Sequence, residues 1–190
     1  MFVVSVPTLS VQPDCYLSEL VRYMLAEKGA ECRLIDISDA TGQALAQKKF
    51  NRLCAPALSD HGIAMDELDV IIEYIEERYP HPVLLPVNPA DRATFRVFFR
   101  RVLRDFYPLM LRAEQQSCTT SSEAIRAEIS SLAPVFAAKP FFMSDEIGLL
   151  DIAFAPIVRR LHRCQANLGA PINKYISRMV RRPAFQQAIP

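Results

Sequence analysis

The chain has 190 residues, 51% of them hydrophobic, and a formal net charge of +1; that is enough to bury one large core or two small ones. No apolar run approaches the roughly twenty residues of a membrane helix, and the N-terminal Met-Phe-Val-Val-Ser-Val-Pro lacks the basic start and long apolar region of a secretory signal, so a cytoplasmic protein is expected. Cys15, Cys32, Cys54, Cys118 and Cys164 are an odd set without paired metal-ligand spacing, which argues against a disulfide framework and against a zinc site.

Taken in order, Phe2 to Val6 is a short, β-branched, apolar run that predicts a buried strand. Pro13-Asp14 then opens a helix with the stripe Leu17, Leu20, Val21, Met24 and Leu25, and Gly29 stands where a left-handed cap is favoured. Cys32 to Ile37 predicts a second strand, and two strands joined through a helix make a βαβ unit. Residues 43–50 predict a short helix. Pro56 interrupts an apolar segment and donates no ladder hydrogen bond, which places it at a strand start or on an edge. A turn is expected at Asp60-His61-Gly62. From Glu67 to Tyr79, Leu68, Ile71, Ile72, Ile75 and Tyr79 form one stripe of an amphipathic helix, with Asp66, Glu67 and Asp69 around its positive first turn and Pro80 as its stop.

Residues 80–90 contain four prolines and predict a stiff linker, 81–90, between a domain at 1–80 and one at 91–190. Beyond it the pattern is helical. Phe95, Phe98, Phe99, Val102, Leu103 and Phe106 line one face of a long helix that should bend near Pro108. Cys118 to Glu123 predicts a polar loop before a helix reaching about Phe136, with Pro134 as its end or kink. Gly148-Leu-Leu-Asp151 opens the next helix with an acid placed to accept from free amides, and a last helix spans about 172–182.

Charge is unevenly distributed. Residues 60–77 carry seven acidic side chains and no Lys or Arg, whereas residues 147–190 carry seven basic ones against Asp151 alone, a polarity suited to docking on a charged macromolecule. Arg92, Arg96, Arg100 and Arg104 recur every four residues opposite the phenylalanine stripe. His61 and His162 stand apart from any metal-ligand spacing. No helix-turn-helix, zinc or RNA-binding signature is present, so sequence-specific DNA binding is not expected.

The order X-Pro break, hairpin, helix and proline-rich crossing resembles the second half of the thioredoxin-like domain in glutathione-transferase-fold proteins. Tyr-Ile-Glu-Glu-Arg-Tyr-Pro-His-Pro-Val-Leu-Leu-Pro-Val at 74–87 resembles one branch in particular, the stringent starvation protein A family of bacterial regulators, and Leu-Ala-Glu-Lys-Gly at 25–29 and Ser-Asp-Glu at 144–146 extend the likeness. The resemblance implies an α/β thioredoxin-like N-terminal domain followed by an all-α domain. It also implies a non-catalytic homodimer that binds RNA polymerase with its primary sigma factor under starvation or stress, without a cofactor. The partner-binding surface would comprise Pro80, His81 and Pro82, with Tyr107 in Asp-Phe-Tyr-Pro bordering it.

The same resemblance marks a vestigial ligand site at Cys15, Ala55, Pro56 and Glu67. Counting back from Arg22, Cys15-Tyr-Leu-Ser18 occupies the place of the reactive thiol in cysteine-type transferases and glutaredoxins, and a helix start favours thiolate over thiol. Tyr16 replaces the usual proline, however, and Asp14 adds a negative charge. Transferases grip the γ-glutamyl group of glutathione with an acid followed by Ser or Thr at the start of the third helix; here the pair is Glu67-Leu68, and leucine offers no hydrogen bond. The alternative is a glutathione-dependent thiol transferase working through Cys15.

Overall fold

The computed structural model describes residues 5–116, 119–164 and 167–189. The chain divides into two compact units, Met1–Pro82 and Val83–Pro190. The first holds a four-stranded mixed sheet with strand order β2-β1-β3-β4, formed by β1 (Thr8–Val11), β2 (Arg33–Asp36), β3 (Ala57–Asp60) and β4 (Ile63–Met65). β1 pairs parallel with β2, Thr8 opposite Arg33, and antiparallel with β3, Ser10 opposite Ala57.

The first strand is displaced from its expected position. Residues 2–4 lie outside the described residues, Ser5 and Val6 are irregular, and the strand is Thr8–Val11. Propensity favoured the Val-Val run, but Thr8–Val11 takes the centre of the sheet, between β2 and β3 with all four residues buried. Pairing on both sides outweighs a preference worth about 1 kcal/mol.

Helix α1 (Tyr16–Glu27) buries Leu20, Val21, Met24 and Leu25 as its stripe requires, and with them Tyr23. Gly29 follows with φ +62°. Helix α2 (Ala40–Phe50) starts three residues earlier than expected because Asp39 caps it, accepting from the Gly42 amide at 2.7 Å. Gly42 is required there: a Cβ would lie 1.6 Å from the Asp36 carbonyl oxygen. The β3–β4 turn has positive φ at His61 (48°) and Gly62 (81°), the backbone that a two-residue hairpin of matching twist demands. Helix α3 (Leu68–Arg78) buries Ile71, Ile72 and Ile75.

The second unit is helical, α4 through α10. Helix α4 (Pro89–Arg101) runs into a π-helical turn, Val102–Phe106, and then α5 (Tyr107–Gln116). The expected bend near Pro108 takes this form because proline has no amide to donate and its ring crowds the carbonyl four residues earlier, so the ladder widens by one residue before it. Residues 119–123, expected as loop, belong to helix α6 (Thr119–Ser130), while Cys118 lies outside the described residues. The single helix expected to Phe136 is two: Pro134 stands in the first turn of α7 (Ala133–Ala138), where its missing amide costs nothing. Pro183 likewise opens α10 (Pro183–Ala188) after α9 (Ala170–Val180).

Helix α8 (Leu149–Arg163) is the spine of this unit, with every residue from Leu149 to Val158 buried. Around it Phe136 stacks on Tyr175 at 3.9 Å, and Phe142 meets Phe154 edge-on at 5.3 Å. Asp151, fully buried, accepts from the amides of Gly148 (2.9 Å) and Phe142 (3.1 Å), the carboxylate half of the expected cap.

Candidate functional site

Sheet topology brings the vestigial-site residues to one end of unit 1. β1 runs out at Val11 toward Cys15, its antiparallel neighbour β3 begins at Ala57 directly after Ala55-Pro56, and β4, antiparallel to β3, leaves at Met65 toward Glu67. Cys15 is the N-cap of α1, a half-buried free thiol whose side chain makes no capping bond. Ser18 is buried and its hydroxyl accepts from the Gln12 amide at 3.2 Å, so the serine of Cys-x-x-Ser holds the preceding loop. The Ala55-Pro56 bond is cis, and Glu67 is the N-cap of α3 without a side-chain capping bond, followed by Leu68. Below them burial pushes the Cys54 thiol upward in pKa, with the Asp66 carboxylate adding to it. These residues share one end of the sheet, and the residue after the α3 N-cap, Leu68, supplies no hydroxyl there.

The Pro80-His81-Pro82 segment is exposed throughout, with a second cis bond at His81-Pro82. Pro82 lies within unit 1, and its carbonyl accepts from Lys28 Nζ at 2.6 Å. The Lys28 side chain is fully buried and also ion-pairs with Glu76 of α3 at 2.7 Å. Lys28, which sequence reasoning did not single out, is thus a buried anchor of this segment. The signal was present: 28 continues the 21, 24 spacing of the buried α1 stripe, which the half-buried Leu17 begins, and a charged side chain there requires a partner.

Tyr107 does not stand on a surface. It is buried, and its hydroxyl donates to the Ala153 carbonyl at 2.6 Å, tying α5 to α8. The arginine row on α4 is partly engaged locally: Arg92 Nε donates to the Pro86 carbonyl, and Arg104 pairs with Asp105 at 2.8 Å.

Two buried aspartates frame the electrostatics. Burial alone would raise the Asp60 pKa, but hydrogen bonds from Ser5, the Tyr74 hydroxyl at 2.9 Å and the His61 amide, with His61 itself, hold it below the usual carboxylate value. Tyr74 is pushed up to about 12, by burial and by its bond to Asp60. Asp151 is pushed up to about 6 by burial, against the opposing pull of the Gly148 and Phe142 amides. Among the described residues no cluster of three or more His, Cys, Asp or Glu could hold a metal ion, and no helix is long and apolar enough to cross a membrane.

A mixed thioredoxin-like sheet with a proline at the start of its interior strand β3, followed by a helical unit, defines a glutathione-transferase-like protein. Residues 9–83 match the family model for the glutathione S-transferase N-terminal domain. A solved glutathione transferase, Omega 3C from Trametes versicolor, has the same fold at TM-score 0.82 and 21% identity, over 98% of this chain and 90% of that one. Within this fold the chain belongs to the stringent starvation protein A family. It is 32% identical over 195 residues to the stringent starvation protein A homolog of Pasteurella multocida, covering 97% of this chain and 91% of the relative. It is 35% identical over 162 residues to that of Coxiella burnetii, covering 83% and 77%.

Proposed function

We propose that this chain is a non-catalytic transcription regulator that docks on RNA polymerase carrying its primary sigma factor, under starvation or stress, through Pro80-His81-Pro82. The observation that carries the reading is the presentation of this segment. Three exposed residues are held by two proline rings and by a carbonyl anchored on the buried Lys28, so little conformational freedom is lost on binding. Leu68 at the start of α3, where glutathione recognition calls for a hydroxyl, supports the absence of transferase catalysis.

The test is a binding titration with sigma-loaded polymerase beside a melting curve. Replacing Pro80, His81 and Pro82 with alanine should weaken binding about thirtyfold, equivalent to roughly 2 kcal/mol. Folding should persist, because the Lys28 anchor is a backbone carbonyl that alanine also supplies. Parent-like binding by the triple variant would sink the reading. A homodimer is part of the proposal, supported by Ile63 on β4 and Val70 on α3, which are 56% and 47% exposed. Light scattering should give twice the 21.5 kDa chain mass, and a monomer mass at micromolar concentration would refute it.

The second reading, a thiol transferase, rests on Cys15 at the N-cap of α1. Reduction of a mixed disulfide with glutathione, abolished by Cys15→Ser, would favour it.

A further inference from the structure

The basic excess of the C-terminal segment is a property of its surface. Between residues 149 and 189 the sequence holds one acid, Asp151, and it is fully buried, so every exposed charge on α8–α10 is positive. On the outer face of α9 lies an open groove of about 560 Å3 lined by Ala170, Asn173, Lys174, Ser177, Arg178 and Arg181. Lys174, Arg178 and Arg181 are offset by four and three residues, which aligns them over about 10 Å of helix.

The arrangement is partly preorganised. Arg178 donates to the Pro140 carbonyl, and its guanidinium lies over the Phe141 ring at 5.6 Å, with Arg182 over the same ring at 5.8 Å. One bond to a carbonyl leaves most of the five guanidinium donors of Arg178 directed elsewhere.

We propose that the outer face of α9, with Lys174, Arg178 and Arg181, holds the phosphate backbone of duplex DNA without reading its sequence. Three cations in a row over about 10 Å cover about three steps of one strand's phosphates, at roughly 3.4 Å of axial rise each, so long side chains can reach two or three of them. A protein partner is disfavoured by what the groove lacks. Stable protein interfaces are centred on aromatic or large aliphatic anchors, whereas none of the exposed large apolar side chains among the described residues lies between 149 and 189, and Phe141 and Tyr175 are buried. The inference deepens the polymerase reading, since a regulator seated on polymerase has promoter DNA beside it. DNA binding is nevertheless a property of this chain alone.

The experiment is fluorescence anisotropy of a labelled random-sequence duplex with the full-length protein, without polymerase, across a salt series. Binding should weaken with a log–log slope of about −2 to −3, near 0.9 per neutralised phosphate. Lys174→Gln with Arg181→Gln should lower affinity at low salt about tenfold and reduce the slope to about −1; Arg178 is retained because it supports the 140–141 turn. Lys48→Gln with Lys49→Gln, which removes the same charge from the exposed end of α2, should leave binding unchanged. A melting curve checks folding, and if the double variant melts early, Lys174→Gln alone should show half the slope change. No duplex binding, an equal loss in the α2 pair, or tighter binding of a polyglutamate peptide than of the duplex would each overturn the proposal, the last in favour of an acidic protein segment. The alanine variant at 80–82 should keep parental DNA affinity, so failure here and failure of the polymerase reading are read separately.

Discussion

Each unit of this protein buries an aspartate, and the two are treated in opposite ways. Asp60, at the end of β3, receives hydrogen bonds from Ser5, the Tyr74 hydroxyl and the His61 amide, which with His61 itself favour its charge despite burial. Asp151, at the head of α8, receives the Gly148 and Phe142 amides and has no cation among its named partners, so burial prevails and its pKa rises to about 6. Both carboxyls are hydrogen-bonded, and the difference lies in the balance: the donors on Asp60, with the nearby His61, outweigh burial, whereas those on Asp151 do not. Unit 1 also holds one buried charge with another, at Lys28 and Glu76, whereas unit 2 uses a buried acid chiefly as a cap.

The largest break in this comparison should come from Asp151→Ala. It removes the acceptor of two amides at the start of the central helix, and at roughly 1–3 kcal/mol per stranded buried donor the loss should be about 4 kcal/mol. Urea unfolding followed by tryptophan-free probes, such as far-ultraviolet circular dichroism, reads it; a loss within error of zero would mean that water replaces the carboxylate. Lys28→Met should come next, at about 3 kcal/mol, the low end for breaking a buried ion pair because Glu76 retains 16% side-chain exposure. The same variant should weaken polymerase binding, because the Pro82 carbonyl loses its anchor, and intact binding would uncouple Lys28 from the presented segment.

The third prediction sharpens the contrast through pH and carries the smallest effect. A carboxyl whose folded pKa is raised binds its proton more tightly when folded, so the Asp151 contribution is fully present below its ordinary 3.8 and lost as pH rises through about 6. Asp60, with its folded pKa lowered, contributes above 3.8 and loses that contribution as pH falls through its folded value. Hydrogen exchange should therefore show α8 amides opening more readily at pH 7 than at pH 5, by roughly 1.3 kcal/mol, and β3–β4 amides opening more readily only under stronger acid. Asp151→Asn should flatten the first trend and leave the second intact. Parallel pH profiles in the two units would refute the assignment.

Periodicity alone determined much of this protein. The buried stripes of α1 and α3, the hairpin at His61-Gly62 and the helical character after residue 91 follow from local spacing and turn chemistry, because side chains three and four apart must share a helix face. Leu68 in the hydroxyl position of the α3 pair was equally legible, being a matter of residue identity. Tertiary structure decided the rest. Thr8–Val11 became the central strand because both its edges are paired, although Val3-Val4 has the stronger intrinsic preference. Pro134 opens a helix rather than closing one, since a missing amide costs nothing in a first turn. Tyr107 turned inward because the Ala153 carbonyl lies within reach of its hydroxyl, and Lys28 became a buried anchor because Glu76 and Pro82, about fifty residues away, converge on it. Such assignments depend on partners distant in the chain, and burial of a polar group is tolerated only when those partners arrive together.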